Sequence, residues 1–207
     1  MMYWVFYWIL RFLYKVFCHW EIHGMEHFPK HGGFILAVNH ASFADPTIAG
    51  SASPRGVYYM ARQTLMKSRL AHWFLTSIHT IPLDTGGGDI GAFKTCIQTM
   101  RKGHPVLIFP EGTRSADGML KPGKVGIGLL AMMGRVDILP CYVHGSYEMF
   151  PRHGRFPRPH KLHVYFGKPL PYSEFDHLKM EKGSYHKISH RVMEEIGKLR
   201  QEALAVQ

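Results

Sequence analysis

Phe34-Ile-Leu-Ala-Val-Asn-His-Ala-Ser-Phe-Ala-Asp-Pro46 is the stretch that indicates the fold of this chain. It begins with an uncharged apolar run, which is typical of a strand buried on both faces of a sheet. Asp45-Pro46 predicts the start of a helix, because proline fits the first helical position and aspartate commonly precedes it. A buried strand that leads through a short loop into a helix indicates an α/β protein, and such loops commonly carry the reactive groups.

The rest of the sequence continues this alternation of strands and helices. Short apolar runs predict further strands at residues 57–60, 80–83, 106–109, 138–143 and 162–166. Helices are predicted at residues 89–100, 126–133 and 184–205, with Asp89 as a cap of the first and a repeated apolar face on the last. A chain of 207 residues with this pattern predicts one α/β domain, in which helices flank a mostly buried central sheet.

The N-terminal segment Met1–Cys18 is almost entirely apolar and aromatic. As a helix it has a drifting polar stripe of Tyr3, Tyr7, Arg11, Lys15 and His19, opposite Trp4, Val5, Trp8, Ile9, Phe12, Leu13 and Phe17. Its uncharged run is too short to span a bilayer, whereas tryptophan, tyrosine and basic residues favour the headgroup zone. We therefore expect residues 1–19 to lie on a membrane surface and residues 20–207 to form the main domain. The alternative is a helix packed against the protein's own core.

The chain is basic, with 25 lysine and arginine residues against 15 acidic residues and a formal net charge of +10. This excess suits an anionic partner such as lipid headgroups, a phosphorylated substrate or nucleic acid. No nucleic-acid-binding motif accompanies the charge, so nucleic acid is not expected as a partner. Residues 149–173 lack acidic side chains but carry Arg152, Arg155, Arg158, Lys161 and Lys168. They form either a binding surface for anionic groups or a solvated basic loop.

Cysteine and histidine patterns give no support to a metal site. The cysteines are Cys18, Cys96 and Cys141, and the histidines at four-residue spacing are His19, His23, His27 and His31. The cysteines form no Cys-x-x-Cys pair, which leaves them as ordinary thiols. Gly24 and Pro29 interrupt any helix that would align the histidines. We therefore expect no metal ligands.

The loop after the first buried strand contains a candidate general base. Histidine suits proton transfer near neutral pH, and His40 lies directly after the strand. Asp45 is close enough along the turn to accept a hydrogen bond from one ring nitrogen and to stabilise the protonated ring. Ser42 is a nearby nucleophile candidate, but no Gly-x-Ser-x-Gly elbow surrounds it, so a covalent intermediate is not expected. A helix-capping aspartate near an unrelated histidine would give the same His-x4-Asp pattern.

Phe109-Pro-Glu-Gly-Thr-Arg-Ser115 follows another predicted strand. Arg114 offers a planar fork for a phosphate or carboxylate, and Gly112 lets the backbone approach a ligand closely. Glu111 is expected either to hold Arg114 in place or to bind an acceptor hydroxyl. Thr113 and Ser115 complete the candidate binding loop. Taken alone, the segment is equally compatible with an ordinary Gly-Thr turn beside a surface ion pair.

Together the two segments resemble the family of glycerolipid acyltransferases that includes 1-acylglycerol-3-phosphate acyltransferase. The family motif Asn-His-x4-Asp is matched by Asn39, His40 and Asp45. The motif Phe-Pro-Glu-Gly-Thr-Arg-Ser is matched without a change by residues 109–115. A basic, glycine-containing stretch at residues 121–131 and the segment 138–146 extend the similarity, which covers most of the chain.

The resemblance implies direct transfer of a fatty acyl group to the free hydroxyl of a lysophospholipid, with 1-acylglycerol-3-phosphate as the expected acceptor. The donor would be acyl-CoA or an acyl carrier protein, and no cofactor is implied. His40 would act as the base, Asp45 would support it, and donors within residues 112–115 would hold the oxyanion. We expect such an enzyme to work on membrane lipids at the cytoplasmic face. A thioester hydrolase, in which His40 activates water, is the alternative.

One position departs from the family pattern. The family usually has an arginine associated with the acceptor phosphate where Ile81-Pro-Leu-Asp-Thr85 places a threonine. This departure favours a different acceptor, such as a lyso-aminolipid, unless another group binds the phosphate. The candidates for such a group are the turn Gly86–Gly88 and the basic residues Arg55, Arg62 and Lys94.

Overall fold

The computed structural model describes residues 2–83 and 90–205, and a seven-stranded sheet forms the centre of this part of the chain. The strands are β1 (Glu21–His23), β2 (Ile35–Val38), β3 (Tyr58–Arg62), β4 (Thr80–Leu83), β5 (Val106–Ile108), β6 (Ile138–His144) and β7 (His163–Phe166). The helices are α1 (Met2–Cys18), α2 (Asp45–Ala52), α3 (Arg69–Ser77), α4 (Ile90–Arg101), α5 (Gly126–Gly134), α6 (Ser146–Met149) and α7 (Lys182–Ala205). The predicted single α/β domain with a central sheet flanked by helices is therefore confirmed.

The strand that the sequence singled out, β2, lies in the middle of the sheet. The strand order is β1-β7-β6-β2-β5-β3-β4, and β2 runs parallel to both of its neighbours. All four residues of β2 are fully buried. The sheet is mixed rather than parallel throughout, because β6 and β7 pair antiparallel. Since β2 and β5 are parallel neighbours, the loops that follow them emerge side by side at the same edge of the sheet.

Helices cover both faces of the sheet and give it two apolar cores. On one face, α4, α5 and α7 pack against side chains that include Ile35, Val106 and Ile138. On the other face, α1 and α2 pack against side chains that include Leu36, Leu107 and Leu139. Helix α7 buries the predicted apolar face, formed by Ile188, Val192, Ile196 and Leu199. Alternate residues of the buried strands thus enter opposite cores, as the pleat of a sheet requires.

Helix α1 packs on α2 through its tyrosines. The Tyr7 hydroxyl donates to the carbonyl of Ser53 at 3.1 Å, and the Tyr14 hydroxyl lies 2.7 Å from Thr47 Oγ1. Arg11, which the sequence placed on the polar stripe, donates to the carbonyl of Ser51 at 2.8 Å. Much of the polar stripe therefore faces the domain, because the Tyr7 hydroxyl and the Arg11 guanidinium donate to backbone carbonyls there.

The opposite face of α1 is apolar and exposed. Its exposed side chains are Trp4, Val5, Trp8, Ile9, Phe12, Leu13, Val16 and Phe17. Phe12 is 65% exposed and Trp8 is 62% exposed, so these large side chains have almost no cover from the rest of the chain. Within residues 2–83 and 90–205, no helix has both the length and the apolar character needed to cross a membrane.

Three elements were not predicted from the sequence: strand β1, helix α3 and the one-turn helix α6. Strand β1 has only three residues and a mixed sequence, and it is defined by its pairing with β7. Helix α3 begins after Ser68, whose hydroxyl accepts a hydrogen bond from Ala71 N at 3.1 Å. The predicted cap Asp89 lies outside the described residues, and the other predicted elements differ from the observed ones by a few residues at their ends.

We expect opposite stability effects from alanine at two helical glycines. A Cβ at Gly128 in α5 would lie 2.3 Å from the carbonyl oxygen of Tyr185 in α7, whereas a Cβ at Gly197 in α7 would meet nothing within 4 Å. Gly197→Ala should raise the free energy of unfolding by up to about 1 kcal/mol through helix propensity. Gly128→Ala should lower it by about 1–3 kcal/mol through overpacking. Urea unfolding measures both changes, and equal effects of the two variants would contradict the close α5–α7 approach.

Candidate active site

His40 and Asp45 form a hydrogen-bonded pair directly after β2. His40 Nδ1 lies 2.9 Å from Asp45 Oδ2. The same carboxylate oxygen accepts the backbone N–H groups of Ala41 and Ser42, each at 2.7 Å. Asp45 is fully buried and is the first residue of α2, where the positive end of the helix dipole favours a carboxylate. The turn therefore fixes the carboxylate, and the carboxylate fixes the imidazole.

The imidazole of His40 is also held across its face. It stacks on the ring of Phe109, with centroids 3.8 Å apart and planes 16° from parallel. The His40 side chain is 17% exposed, so the ring remains reachable. Because Nδ1 is bound to Asp45, Nε2 is the nitrogen that is left for a substrate. This is the arrangement of a general base with a fixed tautomer.

Glu111 joins the loop after β2 to the loop after β5. Its Oε1 accepts from the backbone N–H of His40 at 2.8 Å, and its Oε2 accepts from the backbone N–H of Lys121 at 3.2 Å. The side chain is 2% exposed, and this burial raises the pKa of its carboxyl, while the two N–H donors oppose the shift. The sequence offered Arg114 or an acceptor hydroxyl as its partner; both oxygens instead bind backbone N–H groups.

Two further contacts hold the loop after β2 in place. The carbonyl of His40 accepts the N–H of Ser115 at 2.7 Å. The Asn39 side chain donates to the carbonyl of Val143 at 3.1 Å and accepts the N–H of Val143 at 2.7 Å. Asn39 thus binds the neighbouring strand β6, and Ser115 belongs to the loop after β5. The His40 backbone is therefore fixed from both sides of β2.

The loop at residues 109–115 is ordered by a lysine that follows it. Lys121 Nζ donates to the carbonyls of Thr113 and Arg114, at 2.8 and 2.7 Å, and to Thr113 Oγ1 at 3.0 Å. Gly112 adopts a φ of +69°, which favours glycine, and its N–H closes a turn on the Phe109 carbonyl at 3.0 Å. Sequence reasoning assigned no role to Lys121, although it noted the basic stretch that begins there.

Arg114 is poised to bind an anion. Its guanidinium carbon lies 3.3 Å from the centroid of the Phe43 ring, and its Nη1 is buried without a hydrogen-bond partner among the described residues. Burial lowers the pKa of the Arg114 guanidinium, and the nearby charges of Arg152 and Arg62 act in the same direction. We call Arg62, Arg114 and Arg152 the arginine cluster. A buried guanidinium nitrogen that lacks a partner, next to like charges, favours a negatively charged ligand.

Comparison with known proteins places this arrangement in a family. The sequence profile described as Acyltransferase matches residues 19–144. The chain belongs to the glycerolipid acyltransferase family. It is 29% identical to the 1-acyl-sn-glycerol-3-phosphate acyltransferase of Bacillus subtilis over 76% of its own length and 77% of that protein. It is 27% identical to the enzyme of the same name from Streptococcus pneumoniae, over 88% of the chain and 69% of that protein.

The fold of this acyltransferase is also found in a solved relative. The crystal structure of the 1-acyl-sn-glycerophosphate (LPA) acyltransferase PlsC from Thermotoga maritima superposes with a TM-score of 0.73. The two chains are 22% identical. The match covers 92% of this chain and 79% of the Thermotoga maritima chain. The likeness at this identity is one of fold.

Two other candidates from the sequence have their polar groups bound within the fold of the acyltransferase. The Ser42 hydroxyl donates to the carbonyl of Phe150 at 2.8 Å and accepts from Ala44 N at 3.1 Å. Arg55 donates to the carbonyls of Pro29, Gly32 and Gly103, so its guanidinium holds these loops together. Thr85 and the turn at residues 86–88 lie outside the described residues.

Proposed function

We propose that this acyltransferase moves a fatty acyl group from acyl-CoA or acyl carrier protein to the free hydroxyl of 1-acylglycerol-3-phosphate, which yields phosphatidate. The observation that carries this proposal is the His40–Asp45 pair at 2.9 Å, in a loop that is hydrogen-bonded to the loop that contains Arg114. A base and an anion-binding group in connected loops suit an acceptor that has both a hydroxyl and a phosphate. The names of the relatives from Bacillus subtilis and Streptococcus pneumoniae agree with this acceptor.

The reaction follows from the position of His40. Its Nε2 takes the proton from the acceptor hydroxyl while the oxygen attacks the carbonyl carbon of the thioester. The resulting tetrahedral intermediate collapses, the carbon–sulfur bond breaks, and the thiolate leaves with the proton returned by the imidazolium. Asp45 stabilises the imidazolium during this cycle. The route needs no cofactor besides the acyl donor and no acyl-enzyme, in keeping with the engagement of the Ser42 hydroxyl.

The oxyanion of the intermediate needs hydrogen-bond donors that are free. Within residues 112–115, the N–H of Gly112 binds the Phe109 carbonyl and the N–H of Ser115 binds the His40 carbonyl. We therefore assign this role to the N–H groups of Thr113 and Arg114. Lys121 binds the carbonyls of these same two residues and so fixes the direction of the peptide planes. Such preorganised donors are commonly worth about 2.7–4 kcal/mol of transition-state stabilisation each.

The threonine at position 85 supports a second candidate acceptor, a lyso-lipid without the phosphate, such as a lyso-aminolipid. Loss of one arginine from the acceptor site removes one charge-assisted contact. We prefer the phosphate-bearing acceptor because the arginine cluster contains a buried guanidinium nitrogen that still lacks a partner among the described residues. Arg62, at the end of β3, was among the sequence candidates for such a contact.

The enzyme is further proposed to work at the surface of a membrane, on its cytoplasmic side. The exposed apolar face of α1 is the contact surface, because it carries two tryptophans and two phenylalanines with little cover. The tyrosine face holds α1 on the domain beside α2, the helix that begins at Asp45. Acceptor lipids would thus reach the enzyme from the bilayer to which α1 binds.

We expect His40→Ala and Asp45→Asn to lose acyl transfer by roughly 100- to 10,000-fold, because a general base or its support is removed. The measurement follows acyl transfer to 1-acylglycerol-3-phosphate and release of free fatty acid from acyl-CoA in the same reaction. His31→Ala, at an exposed histidine, is the matched control and should retain activity. Near-normal transfer by His40→Ala would overturn the mechanism, and free acid as the main wild-type product would favour the hydrolase instead.

Arg114→Ala should weaken use of 1-acylglycerol-3-phosphate by roughly 10- to 150-fold in kcat/KM, since one charge-assisted contact is lost. Its effect on a zwitterionic lysophospholipid should be much smaller, because the phosphate monoester is absent there. Arg155→Ala, at an exposed arginine of the basic segment, serves as the control. An equal loss with both acceptors would show that Arg114 acts on the transition state or the loop and not on the acceptor phosphate.

Negative charge introduced by substitution on the exposed face of α1 should abolish vesicle binding without unfolding the protein. Trp8→Glu combined with Phe12→Glu places two carboxylates on side chains that are 62% and 65% exposed. Deletion of α1 is a poorer test, because Tyr14 and Cys18 belong to the core. Cosedimentation with anionic lipid vesicles measures the effect, with Met180→Glu as a control at a position that is 60% exposed. Unchanged partitioning of the double variant would place the membrane contact elsewhere.

A further inference from the structure

Two imidazoles and a carboxylate meet at the edge of the sheet, outside the active site. Glu21 and His23 belong to β1, and His163 belongs to β7, where it lies opposite Glu21 in the parallel register. Residues two apart on a strand share a face, so Glu21 and His23 point to the same side as His163. One ligand atom from each of these three residues lies within 4.8 Å of the other two.

The spacing of these atoms matches that around a small metal ion. His23 Nε2 lies 3.2 Å from His163 Nδ1, and Glu21 Oε2 lies 3.8 Å from the former and 3.6 Å from the latter. Two nitrogens bound to one tetrahedral Zn²⁺ at about 2.0–2.1 Å are separated by about 3.3–3.4 Å. The carboxylate distances are slightly longer, and a small rotation of the exposed Glu21 side chain shortens them.

The surroundings orient two of the three groups. The ring of Tyr165 stacks on His23, with centroids 4.4 Å apart and planes 13° from parallel. Lys161 Nζ binds Glu21 Oε1 at 2.9 Å, which leaves Oε2 as the oxygen that faces the imidazoles. Burial lowers the pKa of the His163 imidazole, although the nearby Glu21 carboxylate opposes this shift. Partners outside the ligand set that fix ligand orientation are typical of metal sites.

We propose that Glu21, His23 and His163 bind a divalent transition-metal ion of the zinc type, with water completing its coordination. Two imidazoles and one carboxylate are ligands that suit Zn²⁺, Co²⁺ or Ni²⁺. The ion would fasten β1 to β7 and so hold the strand that directly follows α1. A hydrogen bond between two neutral imidazoles explains the same 3.2 Å distance without a metal, and the experiment must separate these two explanations.

The probe is Co²⁺, added to tag-free, chelator-treated wild-type protein and followed by visible absorption, with Zn²⁺ as competitor. We expect one ion per chain, loss of the Co²⁺ bands on addition of Zn²⁺, and a higher Tm with Zn²⁺. His23→Gln and Glu21→Gln should weaken binding by at least about tenfold, since loss of even an outer partner costs about 10–100-fold. The control is His190→Gln, which changes an exposed histidine whose Nδ1 lies 3.4 Å from a glutamate carboxylate oxygen. This variant should bind Co²⁺ as tightly as wild type does.

The proposal is overturned if wild-type protein binds no Co²⁺ at this stoichiometry. It is also overturned if His23→Gln and Glu21→Gln bind the ion as tightly as wild type and the His190→Gln control.

Discussion

The buried carboxylate of Glu111 is the contact on which the rest of the active site depends. Its two oxygens bind the backbone of His40 and the backbone of Lys121, and so connect loops that emerge from neighbouring parallel strands. Asp45 orients the His40 imidazole through a hydrogen bond. Lys121 binds the carbonyl of Arg114 and so holds the loop that contains it. Because Glu111 is buried, loss of either backbone donor would leave one of its oxygens without a partner, which is costly.

Charge in the site is divided between two kinds of surroundings. Asp45 and Glu111 are buried and bound by backbone N–H groups, so their negative charge is used inside the protein to position other groups. Arg114 differs from these carboxylates, because its buried Nη1 has no hydrogen-bond partner among the described residues. Its guanidinium therefore keeps a donor for an anion from outside the protein.

Local patterns in the sequence were enough for the fold class and for the contact between His40 and Asp45. Long apolar runs identify β2 and β6, and His40 and Asp45 are five residues apart, so their contact depends on one turn. Contacts between distant residues could not be predicted. Glu111 binds the His40 backbone across 71 residues, and His23 meets His163 across 140 residues. The amphipathic pattern of α1 was recognised, but hydrogen bonds to Ser51 and Ser53 decided which face contacts the domain.

The two outer strands of the described sheet bear on how the enzyme would behave if it is concentrated on a lipid surface, as we propose. An open sheet edge invites pairing with another copy, and crowding in two dimensions raises the chance of such encounters. Strand β4 carries Pro82, which has no N–H to offer a further strand. Strand β1 is only three residues long and carries the Glu21–Lys161 ion pair beside it. Both edges are thereby protected against growth of the sheet from one molecule into the next.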